Sequence, residues 1–557
     1  MNEPFYITLL AGLLAPVALS GEGKKPYVSK VWVSDLKNGT YKNPVLFSDY
    51  SDPDACMTPE GDFLLTASSF NYAPGLPILH SRDLINWTFV NHALPSVEPD
   101  SCFRKPQYGK GVWAPSIRYH KGTYYIYWGD PDYGIYRIKT KNPYGRWDAP
   151  ELVEAGKGMI DPTPLWDDDG RVYLIHAYAA SRSGINSMLV IKEMNAEGNK
   201  VISAPVMVFD GNDGTNHTIE GPKLYKRGGY YYIFAPAGGV VYGWQIVLRS
   251  KNIYGPYESK IVMRQGNTEI NGPHQGAWVT TKEGEDWFLH FQDRGAYGRI
   301  LHLNPMHWKD GWPVIGVDKD GDGCGEPVLT YKKPNTKAQS PIATPAESDE
   351  FNTPDLGLQW QWSANPHQGY GYPTTQGYYR MYAQPMAEGS TDLHTSPALL
   401  TQKFPAEEFT ATMKMKMTAK QEGEQAGLAI MGSDYSYLAL KKQGKKFLLM
   451  QTISKTDSTG NTQIKTLEIA SIPVKYLKMP GVADNQWQEV TFRVVVSKGA
   501  VCRFYYSTDG KNYKKAGEAF QAKKELWTGA KLAVFCLTPL QKGLRGWSDI
   551  DYVRITR

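Results

Sequence analysis

Over the first 340 residues the apolar positions fall in short aromatic-aliphatic runs, cut by turns that carry Gly and Asp: FLLTASS, YYIYWG, VYLIHA, YYYIFAP and WFLHF. Short runs of Tyr, Phe, Trp, Ile and Val bounded by turn residues predict β-strands. Little of this stretch carries the 3.6-residue period of an amphipathic helix. The runs are also copies of one unit. Each has a Pro, an apolar residue, a polar Gly-bearing turn and then the run. Asp52-Pro53 leads to EGDFLLTASS, Ala114-Pro115 to HKGTYYIYWG, Asp161-Pro162 to DDGRVYLIHA, Glu220-Gly221-Pro222 to RGGYYYIFAP, and Gly272-Pro273 to KEGEDWFLHF. The five prolines are 62, 47, 60 and 51 residues apart, and KNPYGRW (141–147) recurs as KNIYGPY (251–257) two units later. A unit of this length cannot bury both faces of its small sheet alone, so units pack radially as propeller blades. The expectation is an all-β chain with a five-bladed β-propeller over 28–335. A sandwich of look-alike hairpins is the competing reading, and five copies in register count against it.

Residues 336–347 are rich in Pro, Lys and small polar residues and read as a linker. From 348 to 557 alternation returns in EFTATMKMKMTA (408–419), AGLAIMGS, SYLALKKQ, KFLLMQTI, EVTFRVVVS, VCRFYYSTDG, KLAVFCL and DIDYVRITR. Eight or more such strands joined by polar turns predict a β-sandwich. The remaining apolar run, FYITLLAGLLAPVAL (5–19), is short for a bilayer and ends in Ala18-Leu19-Ser20. It reads as a secretory signal over 1–20, atypical in carrying Glu3 and no Lys or Arg before the run. The expected location is secreted or periplasmic, with no membrane span after cleavage.

Composition adds two exclusions. A net charge of +5 over 557 residues, without any block of Lys and Arg, gives nucleic acid no surface to track. Five scattered cysteines lack zinc spacing and are odd in number, which predicts free thiols rather than a disulfide framework. Aromatics at 13% suit both β cores and stacking on sugar rings.

The candidate chemistry follows from the repeat. Equivalent positions in a radial array meet around one axis, and two copies carry Asp before the repeat Pro while a third carries Glu one residue earlier. Asp52, Asp161 and Glu220 should therefore crowd one mouth of the central channel. Carboxylates brought together resist ionising at once. A structural design avoids that, whereas acetal hydrolysis uses it, with one acid protonated and one ionised. Asp49, Asp54 and Asp167 to Asp169 read as solvated turn residues.

The segments NPVLFSDYSDPDA (43–55), KGVWAPSIRYHKGTYYIYW (110–128), GMIDPTPLWDDDGRVYLIHA (158–177), IEGPKLYKRGGYYYIFAPAGG (219–239), GPHQGAWV (272–279) and GRILHLNPMHWKDGWP (298–313) resemble glycoside hydrolase family 43. The resemblance implies an inverting mechanism in which Asp52 is general base, Glu220 general acid, and Asp161 modulates and orients the acid. It implies that Phe70, Trp113, Arg299 and His274 line a terminal sugar subsite, and that His274 can approach a calcium ion through water. DEF near 350 and SDIDYVRI near the C-terminus resemble the concanavalin-like sandwich that follows such propellers, whose acidic ends, here Asp349 and Asp551, can share a structural calcium. A loop of that sandwich narrows the site in related enzymes, which favours exo-action. No cofactor is implied for the chemistry itself. The expected substrate is a plant polysaccharide or oligosaccharide, losing a terminal α-L-arabinofuranose. A β-xylosidase with the same machinery is the alternative, and a non-catalytic carbohydrate-binding protein is another. A retaining fructan hydrolase is disfavoured, because its Arg-Asp-Pro and Glu-Cys motifs are missing. VDKDGDGCGEP (317–327) spaces Asp318, Asp320 and Asp322 like a calcium loop, but Leu329 stands where the twelfth-position Glu belongs. It reads as a charged turn.

Overall fold

The computed structural model describes residues 25–337, 340–479 and 482–557. The segment read as a secretory signal lies outside the described residues. Five antiparallel sheets follow one another round an axis. Blade 1 holds Asp54–Met57, Phe63–Thr66, Gly75–Ser81 and Trp87–Leu94; blade 2 runs from Trp113 to Ala155, blade 3 from Met159 to Asp210, and blade 4 from Lys223 to Met263. Blade 5 takes His274–Thr280, Asp286–Asp293 and Arg299–Lys309, and completes itself with Leu46–Asp49 from ahead of blade 1. That borrowed strand fastens the ends of the ring together.

The strand runs alternate in the direction they bury. In blade 1, Leu64 packs with Ile117, Ile126 and Trp128 of blade 2, while its neighbours Phe63 and Leu65 pack with Ala277, Leu289 and Leu301 of blade 5. In blade 3, Leu174 meets Tyr127 and Ile135 of blade 2, and Ile175 meets Ile233 and Ile246 of blade 4. Phe234 and Phe288 join blades 4 and 5. Both faces of each sheet are thus apolar, which is why the runs look continuous in sequence and why no blade is stable alone.

The C-terminal domain is two facing eight-stranded sheets, one carrying Gln425–Met431, Tyr435–Gln443 and Lys531–Thr538, the other Phe409–Ala419, Val482–Ser497 and Trp547–Thr556. Its core continues into the propeller through Val31, Phe47, Tyr297 and Ile300. The linker is docked as well: Ala343 is buried and its N–H donates to Asn86. Among the described residues no helix is long and apolar enough to cross a membrane, and all five cysteines are free thiols.

Candidate active site

The inner strands of blades 2, 3 and 5 slip by one residue against their partners, between Trp113 and Ser116, Ile160 and Thr163, and His274 and Gly276. Within each slip one residue adopts left-handed backbone: Ala114 (φ 36°), Asp161 (59°) and Gln275 (36°). Asp52 (52°) and Gly221 (58°) hold the same place at the head of blades 1 and 4. This conformation costs a non-glycine residue on the order of 1–2 kcal/mol. Ala114 bears it without any polar chemistry, so the strain belongs to the blade architecture, and two acids exploit the direction it imposes.

The fifth repeat is out of the register read from the sequence. Pro273 precedes the slip, and Gln275, not Gly272, matches Asp52 and Asp161. One residue upstream of the left-handed position stand Ser51, Trp113, Ile160, Glu220 and His274. The offset of Glu220 also has a steric cause. A Cβ at Gly221 would come within 2.7 Å of the Gln275 side chain, so an acid at that place would have to displace Gln275.

Asp52 is buried and accepts on both oxygens: from Ser51 Oγ (2.8 Å) and Ser68 Oγ (2.6 Å) on Oδ2, and from Arg299 Nη1 (3.0 Å) on Oδ1. Asp161 is buried too, and its Oδ2 accepts the Gly221 N–H at 2.7 Å, which fixes the peptide next to Glu220. Burial, then the charges of Glu220 and Asp52, push Asp161 up to about 8, against the pull of the Gly221 N–H and Lys223. The three acids therefore share one electrostatic field. Glu220 is partly exposed, and His274 Nε2 lies 2.8 Å from its Oε1.

The sugar-lining candidates gather at the same mouth. Phe70 and Trp113 meet edge-on at 6.5 Å, and Arg299 lies over Phe291 at 4.7 Å. A residue without a signal in the sequence completes this wall. Trp527, on the sandwich loop between Lys514–Gln521 and Lys531–Thr538, meets Trp113 at 6.0 Å and lies 5.7 Å from the Arg299 guanidinium. Asp49 ties the loop down: its Oδ1 accepts the Arg299 N–H (2.8 Å) and its Oδ2 the Gly529 N–H (2.9 Å). Asp49, Asp54 and Asp167 are thus not solvated turn residues. All three are buried, Asp54 against Arg118 (2.5 Å) and Asp167 against Lys226 and Tyr231. Asp168 and Asp169 are exposed.

Calcium favours six to eight oxygen ligands. Among the described residues no group of three carboxylate, imidazole or thiol ligands gathers round His274, so a site ligated by side chains does not fit there. Its Nδ1 is buried without a protein partner, the one feature compatible with an ion held through water. Asp349 accepts from the Phe351 and Gly357 N–H groups and from Trp360 Nε1, and Asp551 is paired with Lys414 at 3.0 Å. Asp318, Asp320 and Asp322 do converge, yet their oxygens accept N–H groups of their own turn.

A five-bladed propeller with three acids meeting at an aromatic-walled mouth is the arrangement of a glycosidase. The chain belongs to glycosyl hydrolases family 43, whose pattern matches residues 41–313, with the family's beta xylosidase C-terminal concanavalin A-like domain matching 348–556. It is 30% identical to a beta-xylosidase of Formosa agariphila over 93% of this chain and 90% of that one. It is 30% identical to a non-reducing end alpha-L-arabinofuranosidase of Bacteroides ovatus over 78% and 83%. Among solved structures, the Bacteroides ovatus xyloglucan PUL GH43B superposes with TM-score 0.74 at 25% identity, covering 93% of this chain and 99% of that one.

Proposed function

We propose that the chain is an exo-acting, inverting glycosidase that releases a terminal pentose from plant cell-wall polysaccharides or oligosaccharides. The observation that carries this reading is the meeting of Asp52, Asp161 and Glu220 in one mouth, walled on one side by Trp527. Asp52 acts as general base, taking a proton from the water whose oxygen attacks the anomeric carbon. As that bond forms, the bond to the leaving oxygen breaks and Glu220 gives it a proton. Asp161 holds the peptide beside Glu220 and, with its own charge suppressed, keeps the acid's surroundings from becoming doubly negative. Inversion calls for a base and acid roughly 6.5–9.5 Å apart, with room for the water between them. The sandwich loop at the mouth favours attack on chain ends. The apolar segment 1–20 supports secretion or a periplasmic location.

Two pentoses suit this machinery. α-L-arabinofuranose is the one favoured by resemblance to side-chain-trimming enzymes, and the arabinofuranosidase among the relatives supports it. β-xylose is favoured by the match of the sandwich and by the beta-xylosidase relative. The nitrophenyl α-L-arabinofuranoside and β-xyloside decide between them, with the anomer of the released sugar read by NMR. Cleavage of one with inversion supports the reading; retention, or cleavage of neither, overturns it. Glu220→Gln should lose on the order of 100-fold or more on oligosaccharides and far less on the nitrophenyl glycoside, whose leaving group needs little protonation. Equal losses would remove Glu220 as the acid.

A further inference from the structure

Below the acids the channel is built in layers. Two residues beyond the left-handed position, the inner strands of blades 1 to 4 present Asp54, Ser116, Thr163 and Lys223, and blade 5, whose slip is one residue shorter, presents Gly276 directly after Gln275. The hydroxyls of Ser116 and Thr163 donate to the proline carbonyl of the next blade, Pro162 (2.7 Å) and Pro222 (2.8 Å). Lys223 does not follow that pattern. Its Nζ donates to the carbonyl of Pro115 at 3.2 Å. Pro115 belongs to blade 2, and blade 3 stands between, so the side chain of Lys223 crosses the channel. It is fully buried, and among the described residues its ammonium has one hydrogen-bond partner.

We propose that Lys223 is a positioning residue for charge: its ammonium, held in the channel one layer beneath Asp52 and Asp161, stabilises the anionic form of the base Asp52 without touching substrate. The proposal rests on the catalytic reading given above. The charged groups that face Lys223 come from three blades, Asp54 and Asp52 from blade 1, Arg118 from blade 2 and Asp161 from blade 3. Blade 5 offers only Gly276 at that level, with His274 one layer higher beside Glu220. Arg118 is already matched by Asp54, which binds its Nη1 and the Ile117 N–H. Arg299 of blade 5 pairs with Asp52 directly, and Lys223 is the cation that faces the acids from the layer beneath. Burial draws its own pKa down, and Asp54, Asp161 and Asp52 oppose that fall. The energetic logic is mutual: a buried ammonium with one hydrogen bond is costly unless anions stand near it, and crowded carboxylates are costly unless a cation does.

Lys223→Met keeps the length of the side chain and removes the charge. The acid limb of the kcat/KM profile, which reports the carboxylate that must be ionised in the free enzyme, should then move to higher pH. A unit charge about two residue rises away (~7 Å) at an effective dielectric near 20 implies a displacement on the order of one pH unit. Lys223→Arg retains the charge and should leave the limb in place, even where overall activity falls. Asp54→Asn removes an anion from the same layer and should move the limb to lower pH. The limb is read over the pH range in which circular dichroism shows a constant folded fraction, so partial unfolding leaves the comparison intact. A Lys223→Met limb that coincides with the wild type's, or that Lys223→Arg shifts equally, overturns the proposal while leaving the catalytic reading standing. A wild type that cleaves neither pentoside removes both.

Discussion

Asp161 is buried beside two other carboxylates, and a proton is held there far more tightly than in an unfolded chain. Its folded pKa, pushed to about 8, lies above the ordinary carboxyl value. The native state therefore binds more protons than the unfolded state between roughly pH 4 and 8. The stabilisation is complete below that window and is lost as pH rises through it. The melting temperature of Asp161→Asn should accordingly fall less between pH 5 and 8 than that of the wild type, by about 3–6 °C. Parallel melting curves would show that Asp161 titrates as in the unfolded chain. At this scale the sequence was legible where the repeat register applied. Asp52 and Asp161 were found because each precedes a blade proline, and Glu220 because it misses that place by one. Asp54 escaped for the opposite reason. It looked like half of a turn, although a strand of period 2 that points Asp52 at the channel must point Asp54 there too.

The sandwich loop that carries Trp527 is an element of which one side packs and the other forms a wall. Leu526 covers Gly109, where a Cβ would approach to 2.5 Å, and Glu525 accepts from Tyr72 Oη at 2.7 Å. Trp527 itself remains 42% exposed, so it contributes more to the mouth than to the core. Trp527→Ala should raise KM for the cleaved pentoside about tenfold, with a smaller change in kcat and a melting temperature within about 1 °C of the wild type. An unchanged KM would mean that the loop stands clear of the sugar. Strands with one buried face were plain in the sequence: Phe409–Ala419 alternates buried and half-buried as EFTATMKMKMTA suggests. Thr462–Pro473 was not, because most of its positions are exposed and an edge strand without a buried face shows no period. Nor did any pattern mark Trp527, since its significance comes from a contact with the other domain.

Asp49 makes the two domains and the site one structure. Its carboxylate holds the Arg299 backbone on one oxygen and the Gly529 N–H on the other, while the Arg299 guanidinium holds Asp52. The seam around it is tight. Ala530 N–H donates to the Ala296 carbonyl at 2.7 Å, and a Cβ on Gly529 would lie 2.6 Å from Gly298 N and 2.7 Å from Tyr297 C. Those are backbone atoms of blade 5 and cannot rotate away as a side chain does. Gly529→Ala should therefore lift the loop, break its link to Asp49 and cost about 2–3 kcal/mol of stability. The melting temperature and kcat/KM should fall together, the latter at least about tenfold, because the displaced loop takes Trp527 with it and frees the Arg299 backbone. Trp527→Ala separates these effects, since it removes the wall and leaves the seam closed. If Gly529→Ala lost stability but kept wild-type kcat/KM, the sandwich would be a packing partner of the propeller and not part of its active site.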